Sequence, residues 1–438
     1  STSSALGVNC PPTALGIYNV CANATGGDGT PSDPWTGWES SLNAQPGAAA
    51  AFGGGGMNIY FPAGYYSLAT RIDLEPGWIL RGAGMRATTI TTAAGFNDDA
   101  FKSSSPINRA TALHIAMEDM GILYNPASPA SVGAAVDVIA GAHVKIRRVL
   151  AEHFAYGIIF DQVLVSDIED CDIEGAAIGG IWLVNGNDHY KGTGCVAGAC
   201  SGKTPPPSTC DCAGYSHRIG IHHCTLNMGT PGAIGIIDDG GAAHVIKDCN
   251  FNYGLNQIRI ADTQAATISG CYFEGAVSSA IYSTFQSTFK TMLGPNTNLT
   301  VSDNSFTCAE GQHCMSLDDG SELLVTGNIF SSNVAAVSGV NQAAYFSAMA
   351  NFAPPGTPLF DSDPSTAGSI STDTGLGIGT ATPTGKLDVK DDHIRWRNAK
   401  TPAGSSDPSG NVGDVAWDAN YVYVRTGSGW KRSALTTW

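Results

Sequence analysis

Positive charge is scarce in this 438-residue chain. Lys and Arg number 22 against 38 Asp and Glu, a net charge of −16. Nothing therefore supplies the basic stripe that neutralising a phosphate backbone requires, and a nucleic-acid partner is not expected. The same field repels an anionic polysaccharide on average, unless a local basic pocket or a bound Ca²⁺ reverses it. Charge of either sign is low, at 14% of residues, while glycine contributes 54; that balance suits turn-rich β structure rather than solvated helices. Long apolar runs are missing too, and none approaches the length of a membrane span.

What is present is a recurring phrase between Val144 and Phe330: an alternating strand, a tight turn at Cys or Asn, a second short strand and a Gly-rich approach to a third. Superposing the phrases puts Val149, Cys171, Cys224, Cys249, Cys271, Asn304 and Asn328 at one position. Most steps fall in the low twenties, and the two long ones carry insertions, a solenoid signature. Strands this short cannot bury an apolar face alone, so each rung is stable only when stacked on its neighbours. Ile168, Ile221, Ile246, Ile268, Val301 and Val325, three residues before the repeat position, are expected to form one inward stack. Ile173, Leu226, Phe251, Phe273, Phe306 and Phe330, two residues after it, are expected to form a second. Asn304 and Asn328 should make an amide ladder, continued by the four cysteines as small buried thiols.

This stretch resembles the pectate-lyase superfamily of right-handed parallel β-helix proteins, which includes polygalacturonase-type hydrolases, alginate lyases and phage tailspikes. A second cue lies upstream, where Tyr60-Phe61-Pro62-Ala63-Gly64-Tyr65 is followed by Leu80-Arg81-Gly82-Ala83-Gly84, similar to the opening coils of the same superfamily. The resemblance runs over roughly residues 30–345. It implies an all-β chain, a right-handed parallel β-helix with a small C-terminal β-rich association domain, and it leaves activity open because the superfamily hosts several chemistries.

Domain limits follow. Residues 1–50 read as an arm and cap, with a short helix-like stretch from Pro34 to Ala44 over the open end; 51–345 are the β-helix, interrupted by an insertion at 187–215; 346–374 are a linker; and 375–438 are the C-terminal segment. That last segment, with Gly375-Leu376-Gly377-Ile378-Gly379 and Ala416-Trp417-Asp418-Ala419-Asn420-Tyr421, resembles phage tail-fibre C-termini. The resemblance implies trimerisation or attachment. A segment this short buries little core alone, and a homotrimer is expected, with a monomeric β-sandwich tail as the alternative.

Of twelve cysteines, the four at the repeat position are expected to be free. Cys10 is expected to pair with Cys21 and Cys308 with Cys314, leaving two bridges of open connectivity among Cys195, Cys200, Cys210 and Cys212. A zinc site at those last four is the rival reading, although they lack paired C-x₂-C knuckles. Disulfides imply an oxidising compartment, so the chain is expected to be extracellular, whether secreted, on the cell surface or virion-associated.

In the resembling superfamily the groove follows the third strand of each phrase. Alternation turns Trp182, Arg259, Tyr282 and Ser316 outward there, and Asp161, Asn185, Asp238, Asp239, Asp262, Asp318 and Asp319 stand at strand ends. The proposed partner is a polysaccharide, whose sugar faces pack on aromatic rings while acids bond the hydroxyls. With rungs ~4.8 Å apart, Asp238 or Asp239 and Asp262 are expected about 5–9 Å apart, a spacing suited to paired glycosidase carboxylates. The Asp238-Asp239 pair looks like the double Asp of polygalacturonase-type hydrolases, and Asn185-Gly186-Asn187-Asp188 is similar to their Asn-x-Asp motif. Their Gly-His-Gly is replaced by Ile258-Arg259-Ile260. Asp-Asp-Gly also serves as plain turn chemistry, and recurs at Asp318-Asp319-Gly320.

A lyase reading uses Arg259 or Lys191 as base, Tyr282 or His189 as proton donor, and Asp238, Asp239 and Asp262 as Ca²⁺ ligands. No cofactor or metal is otherwise required. A second acidic row, Glu152, Glu174 and Glu274, is expected mainly as a solvated face. The chain thus reads as an extracellular depolymerase acting by hydrolysis or β-elimination. The alternative is a non-catalytic structural fibre or adhesin that binds surface glycans.

Overall fold

The computed structural model describes residues 10, 16–47, 56–103, 112–125, 132–139, 141–184, 216–284, 296–317, 320–331, 336–339, 343–353, 376–378, 387–389 and 398–437. Two compact units divide at Ser371 and Thr372. The first is a right-handed parallel β-helix, in which every strand pairs in parallel with its counterpart one turn away. One flank is a ten-stranded sheet running from Ile72–Leu74 to Val337–Ser338. The others merge into a 24-stranded sheet, because several strands bend through the corner between two flanks.

The repeat position is one ladder, as the sequence requires. Cys171, Cys224, Cys249 and Cys271 are free and buried. Each thiol points at a carbonyl one rung back: that of Ile146 for Cys171 at 3.7 Å, of Ile168 for Cys224 at 3.6 Å, of Ile221 for Cys249 at 3.6 Å and of Ile246 for Cys271 at 3.8 Å. Where the ladder changes residue, the acceptor does not. Asn304 Nδ2 donates to the Ile268 carbonyl at 3.1 Å and Asn328 Nδ2 to that of Val301 at 2.9 Å. Asn351 extends the series onto Val325 at 2.8 Å. Thiol and amide therefore fill the same slot, and the amide adds rung-to-rung bonds such as Asn304 Nδ2 to Asn328 Oδ1 at 2.9 Å.

The corner beside this ladder is turned by a single left-handed residue per rung. Asp119, Arg148, Asp170, His223, Asp248, Gly270, Asp303 and Gly327 occupy it, all with φ between 49° and 68°. One such residue reverses the direction of alternation, so the ladder residue that follows again points inward; Asp and Gly, which tolerate this region, dominate. Beyond the corner Phe251, Phe273, Phe306 and Phe330 stack face to face at 4.7–4.8 Å. They are essentially fully buried, at ~1.5–3 kcal/mol of transfer free energy each.

The N-terminal end is closed by the helix Glu39–Asn43 and by Trp38, which meets Phe61 and Tyr66 edge-on at 5.5 and 6.0 Å. Glu39 also accepts the Ala69 amide, at 2.7 Å. The regular coils reach further than the repeat alone implies. Ile17–Asn19 already pairs with Asn58–Tyr60 upstream, and Ala343–Met349 adds a rung to Gly320–Thr326 downstream, running from the last residues read as β-helix into the stretch read as linker. Disulfides join Cys10 to Cys21 and Cys308 to Cys314. Cys195, Cys200, Cys210 and Cys212 lie outside the described residues.

The second unit contains a parallel pair, Leu376–Ile378 with Leu387–Val389, and an antiparallel meander of Val415–Trp417, Tyr421–Thr426 and Gly429–Ala434. Its small core is Ala416, Tyr423 and Trp430. Asp418 anchors the turn: Tyr423 donates its phenol at 2.6 Å and the Asn420 and Tyr421 amides add bonds at 2.8 and 2.9 Å. These donors hold the carboxyl down at about 2.

Candidate functional site

On the ten-stranded sheet, register assembles one outward row: Lys102, Asp137, Ile159, Trp182, Ile237, Arg259, Tyr282, Ser316 and Ser338. Trp182, Arg259, Tyr282 and Ser316 thus share a row, with Arg259 and Tyr282 on adjacent rungs. The row changes character along its length. Ile159, Trp182 and Ile237 form an outer apolar cluster, separate from the interior core, with Ala134, Val184 and Ile234. Arg259, Tyr282, Ser316 and Ser338 follow, all partly exposed.

At the first end, Lys102 Nζ sits 2.5 Å from Asp99 and 2.7 Å from Asp137. Burial alone would lower the ammonium's pKa; the two carboxylates outweigh it and raise it. In the middle, Trp182 lies against Tyr156, ring centroids 4.9 Å apart and planes 22° apart. Its indole Nε1 donates to Asp239 Oδ2 at 3.0 Å. The tryptophan faces outward as alternation demands, yet it is covered, only 3% exposed. The Tyr156 phenol is pushed up to about 12, first by burial and then by the charge of Asp239.

Asp238 and Asp239 part company because consecutive strand residues face opposite sides. Asp239 joins the outer cluster through Trp182. Asp238 turns into the helix, where Oδ2 meets His244 Nδ1 at 2.9 Å. His244 Nε2 in turn lies 2.9 Å from the Ser216 carbonyl. A carbonyl only accepts, so Nε2 carries a proton. Burial opposes a charge on the ring, but the Asp238 carboxylate prevails and raises the pKa of His244. Both side chains are essentially inaccessible, at 0 and 1%.

Asp262 lies past the end of its strand, at a corner residue with φ of 54°, and its carbonyl accepts the Gly241 amide at 3.4 Å. The residue at Asp239's position on that rung is Ala261, whose amide bonds the Asp238 carbonyl at 2.8 Å. Of the three carboxylates read as a catalytic set, one is interior, one is on the outer face and one is at the corner. Asn185, His189 and Lys191 lie outside the described residues, as do Asp318 and Asp319.

The second acidic row is on a different flank, where Glu174 meets Arg86 at 3.2 Å and Glu152 meets His153 at 3.4 Å. Among the described residues, no group of three or more His, Cys, Asp and Glu comes together in a way that could hold a metal ion. Nor is any helix among them long and apolar enough to cross a membrane. Sequence reasoning missed Tyr156, His244 and the Lys102 triad. Tyr156 carried the same outward alternation as Trp182, and only the register sets the two side by side. Nothing in the sequence around His244 announces a partner for Asp238.

A helix of parallel coils with one decorated flank defines the class of protein to which this chain is similar. Residues 210–351 match the family model described as a right-handed beta helix region. Among solved structures, ORF18 of Geobacillus virus E2 superposes with a TM-score of 0.52 at 14% identity, over 97% of this chain and 86% of that one. The A-module of the mannuronan C-5 epimerase AlgE6 from Azotobacter vinelandii gives a TM-score of 0.50 at 14% identity, over 86% of this chain and all of that one. At such identities the likeness is one of fold. A comparison with curated proteins finds no match.

Proposed function

We propose that this protein engages polysaccharide along the outer face of its ten-stranded sheet, in an oxidising, extracellular setting. The observation that carries the reading is the partly exposed run that begins where the outer apolar cluster stops: Arg259 and Tyr282 on adjacent rungs, then Ser316 and Ser338. A guanidinium binds carboxylate or hydroxyl groups through a planar fork. A tyrosine ring beside it offers an apolar face with a polar tip, and the serines add hydroxyls. In a chain of net charge −16, Arg259 is a local cation that counters the overall repulsion of an acidic sugar. The two disulfides support the compartment. The mannuronan epimerase neighbour, by its name a protein that acts on a polysaccharide, supports the substrate class.

Cleavage is the second reading, favoured by one pair of groups. The Asp239 carboxylate, buried and bonded to Trp182, stands beside Tyr156, whose phenol is pushed up to about 12, so this pair meets substrate only where the outer cluster opens. A carboxylate and a neutral hydroxyl donor are the two partners that acid–base cleavage of a glycosidic bond requires. Hydrolysis by a carboxylate pair through Asp238 is disfavoured, since that side chain is committed to His244. The C-terminal unit is assigned to trimerisation or attachment, to be read from the mass in solution with and without residues 372–438.

The test is a panel of neutral and acidic polysaccharides presented to the full chain, with and without Ca²⁺. Binding is measured directly, and products are followed as reducing ends and as the absorbance of unsaturated uronate. Binding that weakens about tenfold in Arg259→Ala and in Tyr282→Ala supports the proposal. Undiminished binding in both variants, or no retained glycan, overturns it. Products that disappear in Asp239→Asn, with binding intact, establish cleavage; binding without products leaves an adhesin.

A further inference from the structure

A second flank, away from the ten-stranded sheet, carries a surface that the reading above does not use. The strands Asn250–Asn252, Tyr272–Glu274 and Ser305–Thr307 each bury their central Phe and present the two flanking residues outward. Register aligns these into two rows, Asn250–Tyr272–Ser305 and Asn252–Glu274–Thr307. Tyr253 stands at the corner beside Asn252. It is 58% exposed, and Tyr272 is 38% exposed. The Tyr272 hydroxyl donates to Glu274 Oε2 at 3.2 Å and lies 3.5 Å from Thr307 Oγ1. The Tyr253 ring lies against the next rung over Gly275, where a Cβ would stand 3.1 Å from ring atom Cδ1. Gly275 itself has φ of 73°, so both space and backbone keep that position clear of a side chain.

Two tyrosine rings are thereby displayed on neighbouring rungs, their polar surroundings made of two amides, two hydroxyls and one carboxylate. Neither row contains a cation from Asn250 to Thr307. Tyr253 also pays a conformational penalty. Its φ is 59°, a region in which bulky side chains are rare and glycine is at ease; the equivalent corner is held by His153 at 63°, and by Gly175 and Gly275 on other rungs. A large aromatic kept in a left-handed conformation and 58% exposed points to a surface selected for what it touches.

We propose that the Tyr253–Tyr272 face is a second, independent carbohydrate-binding surface, and that its ligand is a neutral polysaccharide strand lying obliquely across the rungs. Tyr253 and Tyr272 stand on adjacent rungs, ~4.8 Å apart along the axis, and three positions apart along the strand direction, so one polymer strand meets both rings by crossing the rungs obliquely. Asn250, Asn252 and Thr307 offer donors and acceptors to hydroxyls. Glu274, with no cation in its rows, accepts from hydroxyls and repels uronate, which separates this ligand from the acidic sugar that suits Arg259. The partner is distinguished by charge alone, from observations made on a flank that the first proposal does not involve.

The experiment uses the full chain and immobilised neutral glucans and mannans beside alginate and polygalacturonate. Tyr253→Ala, Tyr253→Gly, Tyr272→Ala and Tyr272→Phe are compared with Arg259→Ala. The expected result is binding to a neutral polymer that falls about tenfold in each alanine variant, survives in Tyr272→Phe and is unchanged in Arg259→Ala. Tyr253→Gly relieves the backbone while removing the ring, so its melting temperature should be at least that of the parent while its binding is lost. Failure of every neutral polymer to bind, tighter binding of the uronates through these tyrosines, or neutral binding that persists in the Tyr253→Ala/Tyr272→Ala double variant overturns the proposal. Loss of acidic-glycan binding in Arg259→Ala bears on the first surface only, so the two readings fail separately.

Discussion

Replacing His244 by Leu should destabilise the β-helix by removing the imidazole that partners Asp238 in the interior. The two side chains are in contact at 2.9 Å and essentially inaccessible, and breaking such a pair from one side costs ~3–5 kcal/mol, because a buried carboxylate is left uncompensated. With an unfolding entropy of about 2.1 cal/mol/K per residue, a unit the size of the first one has an entropy near 0.8 kcal/mol/K, which converts that loss to about 4–6 °C if the coils melt together. Thermal denaturation followed by circular dichroism reads this directly. The pH dependence supplies a second signature. The folded-state pKa of His244 is raised, so the pair stabilises fully below the unfolded histidine value of ~6.5 and its contribution is lost as pH rises through the higher folded value. The parent should therefore melt lower on the alkaline side, and His244→Leu should lack that component. Replacing both residues, as Asp238→Leu/His244→Leu, removes the charge together with its partner and should recover most of the loss. A single variant that costs under ~1 kcal/mol, or a double variant as unstable as the single, would refute the assignment of a buried ion pair.

Further outcomes follow from the same structure. Asn328→Ala should cost ~2–4 kcal/mol, since it strips an acceptor from the Asn304 amide and a donor from the Val301 carbonyl. Asn328→Cys should cost less, because four rungs already use a thiol in that slot, and urea midpoints at constant m-value will rank the two. Cys171, Cys224, Cys249 and Cys271 should resist alkylation in the native protein and react after denaturation, as read by mass spectrometry of the labelled peptides. The C-terminal unit should hold its fold in mild acid. Asp418 and Asp407 sit at about 2, so stability that is complete above the unfolded value of ~4 is lost only as pH falls through ~2. Tryptophan fluorescence of the isolated titration, and its shift to higher pH in Tyr423→Phe, checks this.

Much of the helix was legible in the order of residues. The repeat position, both inward stacks, the free cysteines and the pairs Cys10–Cys21 and Cys308–Cys314 all follow from periodicity and proximity, because stacking forces equivalent positions into line. The extra coils at either end were not, since Ile17–Asn19 and Ala343–Met349 lack the Cys or Asn signature that marks the others. Adjacent Asp238 and Asp239 looked like a pair because they are neighbours in sequence. Strand alternation, itself a sequence rule, already placed only one of them on the outer face.

Sequence by itself determined the solenoid, since short alternating strands at a fixed period have one way to bury their apolar faces. It determined which residues lie on the outer row of each flank, because that depends only on parity within a strand. Tertiary structure decided who meets whom across rungs and corners. Tyr156 reaches Trp182 one rung away, and His244 reaches Asp238 around a bend. The Tyr253 ring lies over Gly275. Those meetings depend on the register between turns of the helix and on the single left-handed residue at each corner. Both are set by the sum of many weak stacking contacts rather than by any local string of residues.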